Sequence, residues 1–311
     1  MMMDTYLRIS AILLLISAWT LLAVEPPARP SVRAAGTIKA VQSITVLVPR
    51  IEGLGGNLTL ATLVENGTMV SPGDSLASFD RANELKLLRE SSEHVVAAML
   101  DTFRSCADGM TKNEIVETLR RNEVNRGLTF EYCLITAGTS QNRAPSDQQL
   151  KRGEILSLDS GGNYQGYIGD LCRMGILGEP DSELEDLLGF IEEVQQLARK
   201  PIKSGTRGGE IFAVADARVD QSPHKSYIEF LAHGMGLVSH EAPRLTSTGP
   251  VPYSAYDADR PLEAGMVVSI ETTMKHPKRG FIKLEDTVAV TEHGYEGFGD
   301  KGRGWNRAGK V

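Results

Sequence analysis

Five residues able to hold metal ions follow one another through the second half of the chain: Asp159, Asp170, His233, Glu271 and Glu285. Four carboxylates and one imidazole form an oxygen-rich donor set, which suits hard or borderline divalent cations. Pairs of such cations about 3.5–4 Å apart are a recurring device for hydrolysis, because they make water nucleophilic at neutral pH. Asp159 and Asp170 lie eleven residues apart across a glycine-containing stretch, so two strands of a hairpin could turn both toward one point. Aspartates among Leu158, Tyr167 and Ile168 are costly to bury without a partner. A metal ion is one such partner, and the nearby Arg173 is another.

His233 and His240 stand seven apart in HGMGLVSHEAP, in what reads as a glycine-rich turn whose Gly234 and Gly236 permit close approach. Glu271 in SIETT and Glu285 in IKLEDTV each interrupt an otherwise apolar strand. Either alone reads equally well as a solvated edge residue; both together, beside two more strand acids, point to one site. No two of the six histidines are four apart, which excludes a helical HExxH zinc site.

The elements that must position these groups follow from periodicity. ELKLLRESSEHVVAAMLDTFRSC carries apolar residues at helical spacing, and Thr111 with Glu114 is a capping-box signature opening a second helix through Arg121. Residues 128–138 read as a buried strand, and 155–174 as a hairpin turning at Gly161-Gly162-Asn163. Two further helices are expected over 182–199 and 209–220, and two antiparallel strands over 266–274 and 280–291.

The net charge of −7 argues against nucleic acid as a partner. Three scattered cysteines, Cys106, Cys133 and Cys172, are too few for a disulfide framework and read as core thiols. Residues 9–24 form a sixteen-residue run without a charge, read as a single membrane anchor (residues 1–24 overall) with a cleaved signal as the competing reading. A proline- and arginine-rich linker over 25–35 and a β-rich segment over 36–83 come next, with turns at Gly67 and Pro72-Gly73. The pattern Gly67, Val70, Gly73, Asp74, Leu76, Phe79, Asp80 resembles the first half of the lipoyl-like domain of bacterial membrane-fusion proteins. That resemblance implies an extracytoplasmic location for the C-terminal part of the chain.

From residue 86 to 311, within a domain expected over 84–311, the chain closely resembles the catalytic domain of the methionine aminopeptidase, Xaa-Pro aminopeptidase, prolidase and creatinase superfamily. The segments that carry the resemblance are LDSGGNYQGYIGDLCR, HGMGLVSHE, LEAGMVVSIE and IKLEDTVAVTEHG. It implies an α+β pita-bread fold and two divalent metal ions, Mn, Co, Zn or Fe. It further implies that Asp159, Asp170, His233, Glu271 and Glu285 are the metal ligands, with Asp170 and Glu285 bridging. Glu271 would take a proton from water and His240 would hydrogen-bond the substrate carbonyl.

Three departures stand out. The peptidases place another substrate-facing histidine seventeen or eighteen residues before the first aspartate, where this chain has Asn142. Asn142 can hydrogen-bond substrate but cannot shuttle a proton. The peptidase sequence E-P-G is Glu271-Thr272-Thr273, and R-I-E-D is Lys283-Leu284-Glu285-Asp286, which exchanges a planar fork for a point charge.

The leading reading is a metal-dependent aminopeptidase or dipeptidase acting on Xaa-Pro bonds of a peptide or other small substrate. The alternatives are lyase or C–N hydrolase chemistry at the same metals, or a membrane-tethered adaptor without turnover. A second copy of the chain in a homodimer is a further expected partner. Relatives of the enzyme half are mostly cytosolic, so a cytoplasmic location is the alternative to an extracytoplasmic one.

Overall fold

The computed structural model describes residues 60–65, 67–71, 77–79, 81–246 and 254–309. These divide between residues 80 and 81 into two units. In the first, β1 (Leu60–Leu63) pairs antiparallel with β2 (Ala77–Phe79). The turn expected at Gly67 is present: its φ is +86°, and Thr68 N donates to the Glu65 carbonyl at 3.1 Å. The anchor over 1–24, the linker over 25–35, the Pro72-Gly73 turn and most of the adaptor-like segment lie outside the described residues. Among the described residues no helix is long and apolar enough to cross a membrane.

The second unit is α+β. Its eight-stranded sheet is built on β3 (Thr129–Ala137), β4 (Ile155–Tyr164), β5 (Tyr167–Leu177), β6 (Ile228–Gly234), β7 (Val267–His276) and β8 (Gly280–Val290). They lie in the order β3-β4-β5-β8-β7-β6, with β9 (Tyr295–Phe298) beside β8 and β10 (Asn306–Ala308) beside β5. The helices are α1 (Arg81–Ser105), α2 (Lys112–Val124), α3 (Ser182–Arg199) and α4 (Gly208–Val219). The capping box forms as expected: Thr111 Oγ1 accepts from Glu114 N at 3.2 Å, and Glu114 Oε2 accepts from Thr111 N at 2.8 Å. Helix α2 runs three residues past the expected Arg121.

The hairpin β4–β5 corrects one expectation. Gly161, Gly162 and Asn163 are paired strand residues, and the chain reverses at Gln165-Gly166, both with positive φ. That pair of left-handed residues fits the right-handed twist of the flanking strands. The strand glycines serve close packing instead. A Cβ at Gly161 would sit 2.3 Å from the Tyr132 ring, and one at Gly169 would sit 2.8 Å from the Ser92 backbone nitrogen in α1. The period-two signal was therefore real, but glycine marked an interface with a ring and a helix rather than a turn.

Apolar side chains of α1 (Val95, Met99, Phe103) and of α3 (Ile191, Val194, Ala198) pack into buried clusters with strand residues. On β8 the alternation of side chains separates two jobs. Asp286, fully buried, points toward α3 and takes ion pairs from Arg173 (3.0 Å), Arg199 (3.0 Å) and Arg303 (2.5 Å). Gln195 of α3 donates to the Asp286 carboxylate at 2.7 Å and to the Ile270 carbonyl at 2.8 Å. This network fastens β5, β7 and β8 to α3, and its neighbours Lys283, Glu285 and Thr287 turn to the other face.

A second buried acid lies apart from that network. Glu123 at the end of α2 has one carboxylate oxygen accepting from Ser160 Oγ at 2.8 Å and the other without a hydrogen-bond partner among the described residues. Burial pushes its carboxyl up to about 8, against the smaller opposing pull of Ser160. The folded state therefore keeps a proton that the unfolded chain loses above about pH 4.5, so this group lowers stability as pH rises toward 8. Glu123→Gln should be about 1–3 kcal/mol more stable than the parent at pH 8 and show no gain at pH 5. Urea unfolding at both pH values measures this; an equal effect at the two would contradict it.

Candidate metal centre

Each of five neighbouring strands delivers one of the expected ligands to the same sheet face. In β4–β5 Asp159 pairs with Cys172 and Gly161 with Asp170, which puts the two aspartates on one side, diagonally adjacent. Cys172 pairs in turn with Glu285, Glu285 with Glu271, and Ser269, two residues before Glu271, with His233. All five are buried, none exposed beyond 7%. The four carboxylates line a cavity of about 700 Å³, together with Tyr132, Arg143, His240, Phe281 and Lys283.

The donors fall into overlapping groups whose ligand atoms lie within 4.8 Å of one another: Asp159, Asp170 and Glu285; His233, Glu271 and Glu285; Asp170, His233 and His240. His233 is the end of strand β6 rather than a turn residue. Its Nδ1 lies 3.2 Å from the Gly234 carbonyl, so with Nδ1 donating there, Nε2 offers a lone pair. Asp170 Oδ1, His233 Nε2 and His240 Nε2 are buried and have no hydrogen-bond partner among the described residues. Such donors fit a bound cation, because a buried polar atom left unpaired is costly.

Positive charge already reaches part of the cluster. Lys283, 3% exposed, places Nζ 2.6 Å from Asp159 Oδ2, 2.5 Å from Glu271 Oε2 and 2.7 Å from Glu285 Oε2. Arg143 also pairs with Asp159 Oδ2, and its guanidinium lies over the Phe281 ring at 5.0 Å. Arg173, the arginine expected near the aspartates, is instead committed to Asp286 and backbone carbonyls on the opposite face, since residue 173 alternates with 172.

The titration pattern mirrors this distribution of charge. Burial pushes the Asp170 carboxyl well above the usual range, and Glu285 and Asp159 add to the rise. Burial raises Glu271 and Glu285 too, but the ammonium of Lys283 and the ring of His233 together outweigh it and hold both low. Burial opposes charge on His233, yet the two glutamates, 3.6 and 3.7 Å away, hold the ring up to about 10. In the absence of an ion a proton occupies the position that a cation would take.

His240 stacks on His233 with ring centroids 3.9 Å apart. Burial, then the His233 charge, pushes it down to about 4, so it is neutral at pH 7. Its Nδ1 is 3.2 Å from the Ser239 hydroxyl. Asn142 does not join the site. Its side chain is exposed and accepts from Ala144 N at 3.0 Å, while its carbonyl accepts from Lys112 Nζ at 2.7 Å. The neighbouring Arg143 faces the cavity in its stead. Sequence reasoning also missed Tyr132, which hydrogen-bonds Asp170 from β3.

Lys283→Met, in protein stripped of metal, should lose about 3–5 kcal/mol of stability, because three buried carboxylates lose their shared counter-ion. Added divalent cation should restore most of it. Chemical denaturation with and without metal checks both parts; an unchanged stability would mean that the ammonium is not a structural counter-ion.

The chain matches the model of metallopeptidase family M24 over residues 86–292. It is 27% identical over 217 residues to the Xaa-Pro dipeptidase of Pyrococcus furiosus, covering 68% of this chain and 60% of that protein. Its fold is similar to that of the X-Pro aminopeptidase from Thermotoga maritima, with a TM-score of 0.66 and 24% identity over 73% of this chain and 63% of that one. It is also similar to prolidase from Pyrococcus furiosus, with a TM-score of 0.63 and 25% identity over 70% and 64%. The chain thus spans about 60% of the length of the curated relatives it matches. With 86–292 matched and the pita-bread α+β architecture in place, the chain belongs to metallopeptidase family M24.

Proposed function

We propose that the unit from residue 84 onward is a metal-dependent hydrolase acting as an aminopeptidase or dipeptidase on Xaa-Pro bonds. The observation that carries this reading is the delivery of four carboxylates and one imidazole, one from each of five strands, to a single buried cluster whose carboxylates line a cavity. The Xaa-Pro dipeptidases and prolidases among the relatives supply the bond class.

Asp159, Asp170, His233, Glu271 and Glu285 are the candidate ligands for divalent metal, Asp159 being the one already paired with two cations, and Mn, Co, Zn or Fe are all compatible with such donors. A divalent cation supplies Lewis acidity toward a carbonyl oxygen and makes water acidic enough to act near neutral pH. Glu271, held low by Lys283 and His233 despite its burial, is available to accept a proton. His240 stays neutral; with Nδ1 accepting from Ser239, its Nε2–H can donate to a substrate carbonyl oxygen as negative charge develops there. An ion pair at all five groups would require the Lys283 ammonium to leave its three carboxylates, whereas a single ion would not.

A second reading, non-peptide C–N hydrolysis or elimination at the same centre, is favoured by Arg143 in place of an imidazole at the cavity wall. The uncharged run over residues 9–24 supports a single anchor holding the enzyme at a membrane, with the catalytic unit extracytoplasmic.

Asp170→Asn should lose bound divalent metal and reduce hydrolysis of Xaa-Pro dipeptides to the buffer background. Metal analysis together with a dipeptide panel, extended to small amidines and quaternary or sulfonium compounds, measures this. A variant that keeps full activity without metal would overturn the proposal, and turnover confined to the non-peptides would select the second reading.

A further inference from the structure

The two glutamates of the cluster each face two ways. Their Oε1 atoms lie 3.6 Å (Glu271) and 3.7 Å (Glu285) from His233 Nε2, and their Oε2 atoms lie 2.5 and 2.7 Å from Lys283 Nζ. The cluster therefore presents two adjacent positions for positive charge. One is enclosed by Asp159 Oδ2, Glu271 Oε2 and Glu285 Oε2 and is filled by the ammonium of this chain's own Lys283. The other is bordered by His233 Nε2 and the two Oε1 atoms. Near it lies Asp170 Oδ1, which, like His233 Nε2, is buried without a hydrogen-bond partner among the described residues.

We infer that this is a mixed centre: Lys283 permanently occupies one of the two cation positions, and the chain binds one divalent ion, held by Asp170, His233, Glu271 and Glu285. The inference builds on the reading of this cluster as a metal centre.

Three features converge on it. The first is reach: three carboxylate oxygens lie within 2.7 Å of the ammonium, and one of them, Asp159 Oδ2, accepts a hydrogen bond from it. Asp159 Oδ2 is further taken by Arg143, so that oxygen is held by two cations at once. The second is charge. Four carboxylates against Lys283 and Arg143 leave two negative charges, which one divalent ion neutralises and two would exceed. The third is satisfaction. Asp159 Oδ2 accepts from both Lys283 and Arg143, whereas Asp170 Oδ1 and His233 Nε2, away from the ammonium, have no hydrogen-bond partner among the described residues; Glu285 Oε2 meets the ammonium as an ion pair alone.

Asp159 in this arrangement is a positioning residue for Lys283 rather than a ligand. The ammonium is a fixed charge that needs no loading, beside an exchangeable metal that does. A site of this kind loses its activity in one step when chelated, with no partly loaded intermediate.

The test is a count of metal on the full-length chain. Metal-free protein is titrated with Mn(II) and examined by calorimetry, elemental analysis and electron paramagnetic resonance. The mixed centre gives one Mn(II) per chain and a six-line mononuclear spectrum that accounts for all the bound metal. Asp159→Asn should keep that stoichiometry at one, because Asp159 touches Lys283 and not the ion. Lys283→Met should raise the count to two and produce the spectrum of a coupled pair.

Two Mn(II) per parent chain, no bound Mn(II), or loss of an ion on Asp159→Asn would each overturn the inference, and the last needs no Lys283 variant to fold. One ion per chain supports it whether or not an Xaa-Pro peptide is cleaved, since the cleavage assay bears on the peptidase reading alone.

Discussion

Four carboxylates gathered on one dry face of a sheet cannot all stay ionised unless positive charge is supplied among them. Much of the catalytic unit can be understood as an answer to that constraint. Lys283 and Arg143 meet it on the side of Asp159, and a proton on His233 meets part of it on the other side. Asp170, with no cation in contact, is left far more basic than an aspartate in water, which marks where charge is missing. A metal ion at that position would supply the positive charge that Asp170 lacks.

The scaffold makes such crowding tolerable by strict alternation. Lys283 and Glu285 of β8 enter the cluster, and Ile282 and Leu284 between and beside them pack in a core cluster with residues of α3. Asp286, adjacent to Glu285 in the chain, meets three arginines on that opposite face. Two buried networks of opposite design therefore lie back to back across one strand: a carboxylate held by cations, and carboxylates awaiting one. The arginine network fixes the strand register, and register decides whether five ligands meet at all, since a slip of one residue would send each to the other face. Close contacts at Gly161 and Gly169 fix the same register from the other end, because neither the Tyr132 ring nor the α1 backbone leaves room for a side chain.

The ligand set was legible in the sequence because strands have a period of two and acids among apolar residues are conspicuous. Asp159, Asp170, Glu271 and Glu285 each broke an apolar run, and the sheet brings them to one face with His233. What failed to show was direction. Counting back from Asp159 led to Asn142, but the loop turns that amide outward and its neighbour Arg143 inward. Gly161-Gly162-Asn163 has the composition of a turn; only the ring and helix that press on those positions reveal a strand. The exchange of a fork for a point charge at Lys283 was visible, while the reach of its ammonium into three carboxylates depends on strand pairing that no local pattern encodes. Tyr132 carried no signal of its own, being one aromatic residue in an edge strand.

Anomalous diffraction from crystals of the full chain grown with manganese, with data collected near the metal edge, tests the central claim most directly. The account predicts one strong peak in contact with His233, Glu271 and Glu285, with Lys283 still in place beside Asp159. A peak at Asp159 with the lysine displaced, or no peak among the five groups, would contradict it.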